Sequence, residues 1–271
     1  MERYTEENAK AIDKWVGEGW VWGRPVTPEE CEKARRGEWE VVLTPTKPVP
    51  KGWFVPFQGA RILGLASGGG QQMPIFSLLG ASCTVMDLSD RQLESERLVS
   101  EREGYDIEIV KADMTKPFPF GDCAFDLIFH PVSNCYVEDV YPIWRECYRV
   151  LKPGGILLAG LDNGANYVFD DAGKLPMVVT GASFPYNPLK NPEQMEEALK
   201  NDDGIQFSHT FDEQIGGQID AGFAIVGAYQ DYNGVGEGYD YGDGFEFDAT
   251  VKLGIPTFWA TKALKPKSPL V

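Results

Sequence analysis

Histidine, paired cysteine and positive charge are all scarce in this chain of 271 residues. The two histidines are His130 and His209. The five cysteines stand apart at 31, 83, 123, 135 and 147, and none forms a C-x-x-C pair. A structural zinc site is therefore not expected, and no metal ligands are assigned. An odd cysteine count without a recognisable leader predicts the reducing cytoplasm. No apolar run reaches the length of a membrane span, so no membrane partner is expected. Lys and Arg total 25 against 41 Asp and Glu, a net charge of −16. Nucleic-acid binders draw most of their non-specific affinity from neutralised phosphates, so this balance argues against RNA or DNA. Its simpler meaning is solubility.

What the chain does have is apolar content, 43% of its residues, enough for a sizeable core. Its length suits one large domain with an elaborated end. Residues 1–55 stand apart as a helical, aromatic-rich extension. Thr5–Val16 reads as a short helix with Thr5 as its N-cap. Thr27-Pro28-Glu29-Glu30 is a capping-box start with proline at the first helical position. Trp15, Trp20, Trp22, Trp39 and Trp53 fall in this region, and Pro45, Pro48, Pro50 and Pro56 lead out of it. The tryptophans have two readings: buried area that fixes the extension to the domain, or an aromatic lid over a cationic ligand.

From residue 56 onward strands and helices alternate. Expected strands are Arg61–Leu65, Cys83–Met86, Ile107–Lys111, Phe125–Phe129 and Ile156–Gly160. Expected helices are Gln71–Leu79, one capped by Ser89 and running to about Glu103, and Val137–Leu151. Short apolar strands alternating with helices imply a mostly parallel sheet covered on both faces. Residues 161–205 break the rhythm with prolines at 176, 185, 188 and 192 and a short helix from Glu193 to Lys200. A connection of that length predicts a lid or substrate segment. Phe211–Ala221 then reads as a helix, Ala224–Tyr229 and Thr257–Lys262 as strands. Asp231–Phe247 between them is rich in Gly, Tyr and Asp.

The chemistry concentrates at two strand ends. The first strand runs into Ala66-Ser67-Gly68-Gly69-Gly70, and the second ends in Val85-Met86-Asp87. Gly68 precedes Asp87 by 19 residues, near the spacing between a nucleotide site's glycine turn and its ribose-binding acid. Glycine admits a close ligand, and an acid accepts both ribose hydroxyls. An adenosine-type ligand at these strand ends is the expectation. The structural alternatives are a tight turn at the glycines, a helix cap at Asp87 and a plain turn at Asp113.

Five segments in order resemble the class I S-adenosylmethionine-dependent methyltransferases, in particular their small-molecule, type 11-like members. Ile62–Gly70 resembles the glycine-rich first motif. Val85-Met86-Asp87-Leu88-Ser89 resembles the acidic second strand, and Lys111-Ala112-Asp113-Met114 the adenine-facing third. Phe118-Pro119-Phe120 through Phe125-Asp126-Leu127-Ile128-Phe129 resembles the fourth. Arg149-Val150-Leu151-Lys152-Pro153-Gly154-Gly155 resembles the last. The family often has an acid where Gly64 stands and a glycine where Ala66 stands. The resemblance implies a Rossmann-like, doubly wound, mostly parallel seven-stranded sheet over residues 56–271. It implies S-adenosyl-L-methionine as cofactor and methyl transfer to a small-molecule acceptor. It places Gly68 and Gly70 near the methionine and ribose, Asp87 at the ribose hydroxyls, and Asp113 and Met114 at adenine, with Ala66, Ser67, Leu88 and His130 as further cofactor contacts.

Other functions stay open at this point. One is a protein that binds or senses the cofactor without transferring its methyl group. Another is an NAD(P)-dependent oxidoreductase, but its G-x-G-x-x-G fingerprint needs a third glycine where Met73 stands. On the acceptor side, strand four ends in His130-Pro131-Val132-Ser133-Asn134, without the Asn/Asp-Pro-Pro-aromatic signature of amino-directed nucleic-acid methyltransferases. His130, beside the expected cofactor, is the candidate general base, since imidazole titrates near neutrality. The alternative is a histidine that only packs. Asp162 and Asn163, after strand five, are candidate substrate contacts. A homodimer is left open.

Overall fold

The computed structural model describes residues 3–169, 176, 178–179, 184–201, 204–234 and 253–268. The expected Gly/Tyr/Asp-rich stretch beyond residue 234, and part of the expected lid segment, lie outside them.

Seven strands form one sheet: β1 (Arg61–Leu65), β2 (Ser82–Asp87), β3 (Ile107–Lys111), β4 (Phe125–His130), β5 (Leu151–Asp162), β6 (Ala224–Asp231) and β7 (Phe258–Leu264). Their order is β3-β2-β1-β4-β5-β7-β6. The first five pair in parallel, and β7 runs antiparallel between β5 and β6. The expected doubly wound, mostly parallel, Rossmann-like sheet is the observed one. Because β1 is central, its carboxyl end lies where the strand order reverses. Open sheets of this kind bind ligands at such a point.

Strand β1 faces two helical layers, and its alternation assigns the faces. Leu63 and Leu65 enter a cluster with Trp144, Ile143 and Cys147 of α5 (Tyr141–Val150). Ile62 enters the opposite cluster with Met73, Ile75 and Phe76 of α3 (Gln72–Leu78). That second cluster also takes Ala34, Val41, Leu43 and Val49 from the N-terminal extension. The extension is thus part of the core. Its Trp39 packs edge-on to Phe54 and Phe57. Helix α2 (Pro28–Arg35) starts with the expected capping box, Thr27 with Glu30.

Helix α1 (Arg3–Gly17) corrects one expectation. Thr5 is not its cap but lies inside it, buried, with Oγ1 donating to Asp113 Oδ2 at 3.2 Å. Helix α4 (Asp90–Glu103) is capped by Ser89 and stopped by left-handed Gly104, as the sequence indicates. The helix expected from Val137 starts at Tyr141, because Pro142 sits best in a first turn. The expected helix Phe211–Ala221 is a wide π turn, Asp212–Gly216, followed by the short α7 (Gly217–Asp220). The Arg149–Gly155 segment has a bracing role: the Arg149 guanidinium ties Glu146, Asp122 and the Phe118 and Phe120 carbonyls together. Helix α6 covers Pro192–Asn201.

Candidate active site

A cavity of about 370 Å³ opens at the carboxyl ends of β1–β5. Its floor is the turn after β1. Ala66 donates its N–H to Met86 O, Gly68 to Asp87 Oδ2, Gly69 to Gln92 O and Gly70 to Glu96 Oε1. Each N–H of those four is used inside the protein. The turn is pressed against α4 so closely that a Cβ on Gly70, whose φ is +68°, would sit 2.9 Å from Ser95 O. Gly70 therefore anchors the loop and is not among the cavity lining, which corrects its expected place at the ligand. Gly64, where the family often has an acid, faces Met73, whose sulfur would lie 2.8 Å from any added Cβ.

Ala66 holds φ at +46°, a left-handed conformation that an L-residue adopts at a cost of about 1–2 kcal/mol. Ala66→Gly should therefore stabilise the fold by about 1 kcal/mol, after the unfolded chain's added freedom is set against the relief. A rise in the denaturant midpoint with unchanged slope would show it. An unchanged or lower midpoint would mean that the surrounding contacts hold Ala66 without strain.

Ala66, Ser67 and Gly68 line the cavity floor; Asp87, Leu88, Asp113 and Met114 line its wall below β2 and β3. Asp87 accepts from Gly68 N with one oxygen and from Ser89 N with the other, both at 3.0 Å. Each carboxylate oxygen keeps a further lone pair. Burial raises the Asp87 carboxyl above its ordinary range, against the lowering effect of those N–H groups. Behind the loop, fully buried Glu96 presents one oxygen to Gly70 N at 2.8 Å and leaves the other without a partner. Burial pushes its pKa up to about 8. No feature of the amphipathic pattern marks Glu96 as an inward acid.

Helix α1 forms the roof. Thr5, Asn8, Ala9 and Ile12 line the cavity, a spacing that puts them on one helix face. The roof is pinned at three places. Thr5 reaches Asp113, and Asp13 Oδ1 accepts from Ser89 Oγ and Arg91 N. Asn8 donates to Tyr136 O and Ile205 O and accepts from Ile205 N. Trp20 and Trp22 also line the cavity, whereas Trp39 and Trp53 pack against the core. Burial of the extension therefore describes Trp39 and Trp53, whereas Trp20 and Trp22 stand at the cavity.

The far end is built from the loop after β4 and from residues around β5. Ser133, Cys135, Tyr136, Asp162, Asn166, Tyr167 and Gln206 line it. Of the two expected substrate contacts, Asp162 is in the lining. Asn163 is not: its amide donates to Pro256 O and its oxygen accepts from Ala165 N. His130 is also corrected. It has no exposed surface, its Nδ1 lies 2.9 Å from Leu65 O, and its Nε2 lies 2.8 Å from Asn134 Oδ1. Both ring nitrogens lie against protein oxygens, only one of which a neutral imidazole can serve with its single N–H; His130 does not line the cavity, and burial lowers its pKa. The lone histidine at a strand end is a sequence signal shared by buried packing and by catalysis. Tyr136, Tyr167 and the α1 face carry no comparable motif.

Charge along the lining has one sign. Asp87, Asp113 and Asp162 are there, and no Lys, Arg or His is among the described lining residues. This lining fits a cationic sulfonium compound bearing an adenosine, with acids to accept from its hydroxyls and no cation to repel it. Among the described residues no group of three or more His, Cys, Asp or Glu is placed to hold a metal, and no helix is long and apolar enough to cross a membrane.

A family profile described as a methyltransferase domain (Methyltransf_11) matches residues 63–159. The chain is 41% identical over 237 residues to the "uncharacterized methyltransferase YbaJ" of Bacillus subtilis (strain 168), covering 86% of this chain and 93% of that protein. It is 25% identical over 239 residues to methyltransferase phqN of Penicillium fellutanum, covering 83% and 68%. In fold it is similar to an S-adenosylmethionine-dependent methyltransferase from Mesorhizobium loti, with TM-score 0.57 and 20% identity over 79% of this chain and 94% of that one. A cavity of this chemistry at the switch point of this sheet and a relative of this similarity over nearly its whole length lead to one conclusion: the chain belongs to the S-adenosylmethionine-dependent methyltransferases.

Proposed function

We propose that this methyltransferase acts on a small molecule held in the cavity, with the roles divided among the lining residues as follows. Asp87 takes the ribose hydroxyls with its remaining lone pairs. Leu88, Asp113 and Met114 frame the adenine. Ala66, Ser67 and Gly68 meet the methionine end. When bound, S-adenosylmethionine supplies an electrophilic methyl group on a sulfonium. The protein's part is to hold the acceptor in line with it, and such positioning supplies roughly 7–11 kcal/mol in well-oriented systems. Helix α1, with Trp20, Trp22 and the segment around Tyr167, acts as a lid that keeps water from the sulfonium.

The observation that carries the small-molecule reading is the roof. Three sets of hydrogen bonds pin α1 over a partly open cavity of about 370 Å³, a space on the scale of small molecules. A net charge of −16 supports it. Direct titration tests the reading. S-adenosylmethionine and its demethylated product should bind and NAD should not. Label from the methyl group should pass to small-molecule fractions and not to RNA or DNA. Salt-sensitive, submicromolar binding of either nucleic acid would overturn the small-molecule acceptor, and tighter binding of NAD would overturn the assignment of the cavity.

A further inference from the structure

The far end of the cavity narrows the chemistry of the acceptor. Resting on the reading of the cavity as a methyl-transfer chamber, we propose that the acceptor is an amine, captured as its ammonium by Asp162, which Asn166 and Gly164 hold in place.

Charge at this end of the cavity disfavours one broad class. An acceptor bearing a carboxylate or phosphate would meet three acids and no cationic side chain among the described lining residues. Asp162 is buried, with 7% of its surface exposed. Its Oδ1 accepts from Gly164 N at 2.6 Å and its Oδ2 from the Asn166 amide at 3.1 Å. Those two bonds leave lone pairs on both oxygens and supply no countercharge. The titratable groups whose charge Asp162 influences are the Cys135 thiol and the Tyr167 phenol, with the Tyr136 and Tyr186 phenols acting on Tyr167 in turn. Burial pushes Cys135 and Tyr167 up, so both stay neutral at physiological pH. A buried carboxylate without a cation is costly, and burial raises the Asp162 pKa to about 6. A bound ammonium removes that cost.

Hydrogen bonding separates the remaining classes. Asn166 lines the chamber with its amide donated to Asp162, while its own Oδ1 is buried away from the cavity surface. The lone pairs left on the two Asp162 oxygens therefore call for a ligand group with more than one N–H or O–H donor. A phenol or alcohol brings one, whereas an ammonium brings several.

The step balances. The ammonium gives one proton to the Asp162 carboxylate, which frees the nitrogen lone pair. That pair forms the N–CH3 bond while the S–CH3 bond breaks, and the electrons of the broken bond stay on sulfur as a neutral thioether. The product is a methylated ammonium, and the proton on Asp162 leaves to solvent.

Three probes with one aromatic tail test this: phenethylamine, 2-phenylethanol and 3-phenylpropionate, titrated by calorimetry into the full chain loaded with S-adenosylhomocysteine. The amine should bind about tenfold or more tighter than the other two, and Asp162→Asn, titrated at an S-adenosylhomocysteine concentration that saturates the variant, should remove that advantage. An amine that binds no better than the alcohol or the acid, or not at all, overturns the proposal. So does an amine advantage that survives intact in a folded Asp162→Asn protein. Should that variant not fold, the ranking of the three probes on the unmodified chain decides alone. Failure of S-adenosylhomocysteine itself to bind would overturn the underlying reading of the cavity.

Discussion

Replacing Glu96 by Gln should make the protein more stable at alkaline pH by on the order of 3–5 kcal/mol, at about 1.4 kcal/mol per pH unit of displacement. Glu96 is fully buried on α4, and burial pushes its pKa from 4.5 to about 8, with Asp87 adding to the rise and Gly70 N–H opposing it. In the unfolded chain the group ionises near 4.5, so between pH 4.5 and 8 the unfolded state binds fewer protons than the folded one. Stability from this group therefore falls as pH rises through that window and is flat above it. Gln removes the slope and keeps an oxygen for Gly70 N–H. Its new amide takes the place of Glu96 Oε2, which has no partner. Urea unfolding of both proteins at pH 5 and pH 9 measures the effect. The gap between them should widen at pH 9. A gap independent of pH would mean that Glu96 is not held protonated in the fold.

Asp87→Ala should weaken binding of S-adenosylhomocysteine by about 1.5–3 kcal/mol, or roughly ten- to more than a hundredfold, as expected for hydrogen bonds to a charged group. The structure adds a consequence beyond the lost ligand contacts. Asp87 also holds Gly68 N and Ser89 N, so the variant leaves two backbone donors to find water and loosens both the glycine turn and the start of α4. A fall in melting temperature should accompany the affinity loss. Asp87→Asn, which keeps one acceptor oxygen, should show a smaller fall in both. Unchanged affinity in a folded Asp87→Ala protein would confine Asp87 to the capping of α4.

The sheet was legible because its strands are short apolar runs that end at punctuation: Gly68 to Gly70 after β1, Asp87 after β2, Pro131 after β4. The acids at the cavity wall were legible for the same reason, since a charged residue at the end of an apolar strand stands out. The roof was not. Thr5, Asn8, Ala9 and Ile12 form a face only once Arg3–Gly17 is helical and its docking site is known, and Thr5 alone reads as a cap. Glu96 was hidden because acids on α4 are common and nothing in its spacing separates it from exposed Glu94 or Glu101. His130 was misplaced for the opposite reason. A histidine at a strand's carboxyl end suggests chemistry, but the Leu65 carbonyl and the Asn134 side chain claim both its nitrogens. The order of β6 and β7 follows from non-local pairing, on which local sequence is silent.

The most direct test of the account is a crystal structure of the protein grown with S-adenosylhomocysteine. The ribose hydroxyls should lie within hydrogen-bonding distance of Asp87, the adenine between Leu88 and Met114 beside Asp113, and the amino-acid end above Ala66–Gly68, with α1 closed over the ligand and the sulfur facing Asp162. Ligand bound outside this cavity, or within it but with its ribose away from Asp87, would contradict the account.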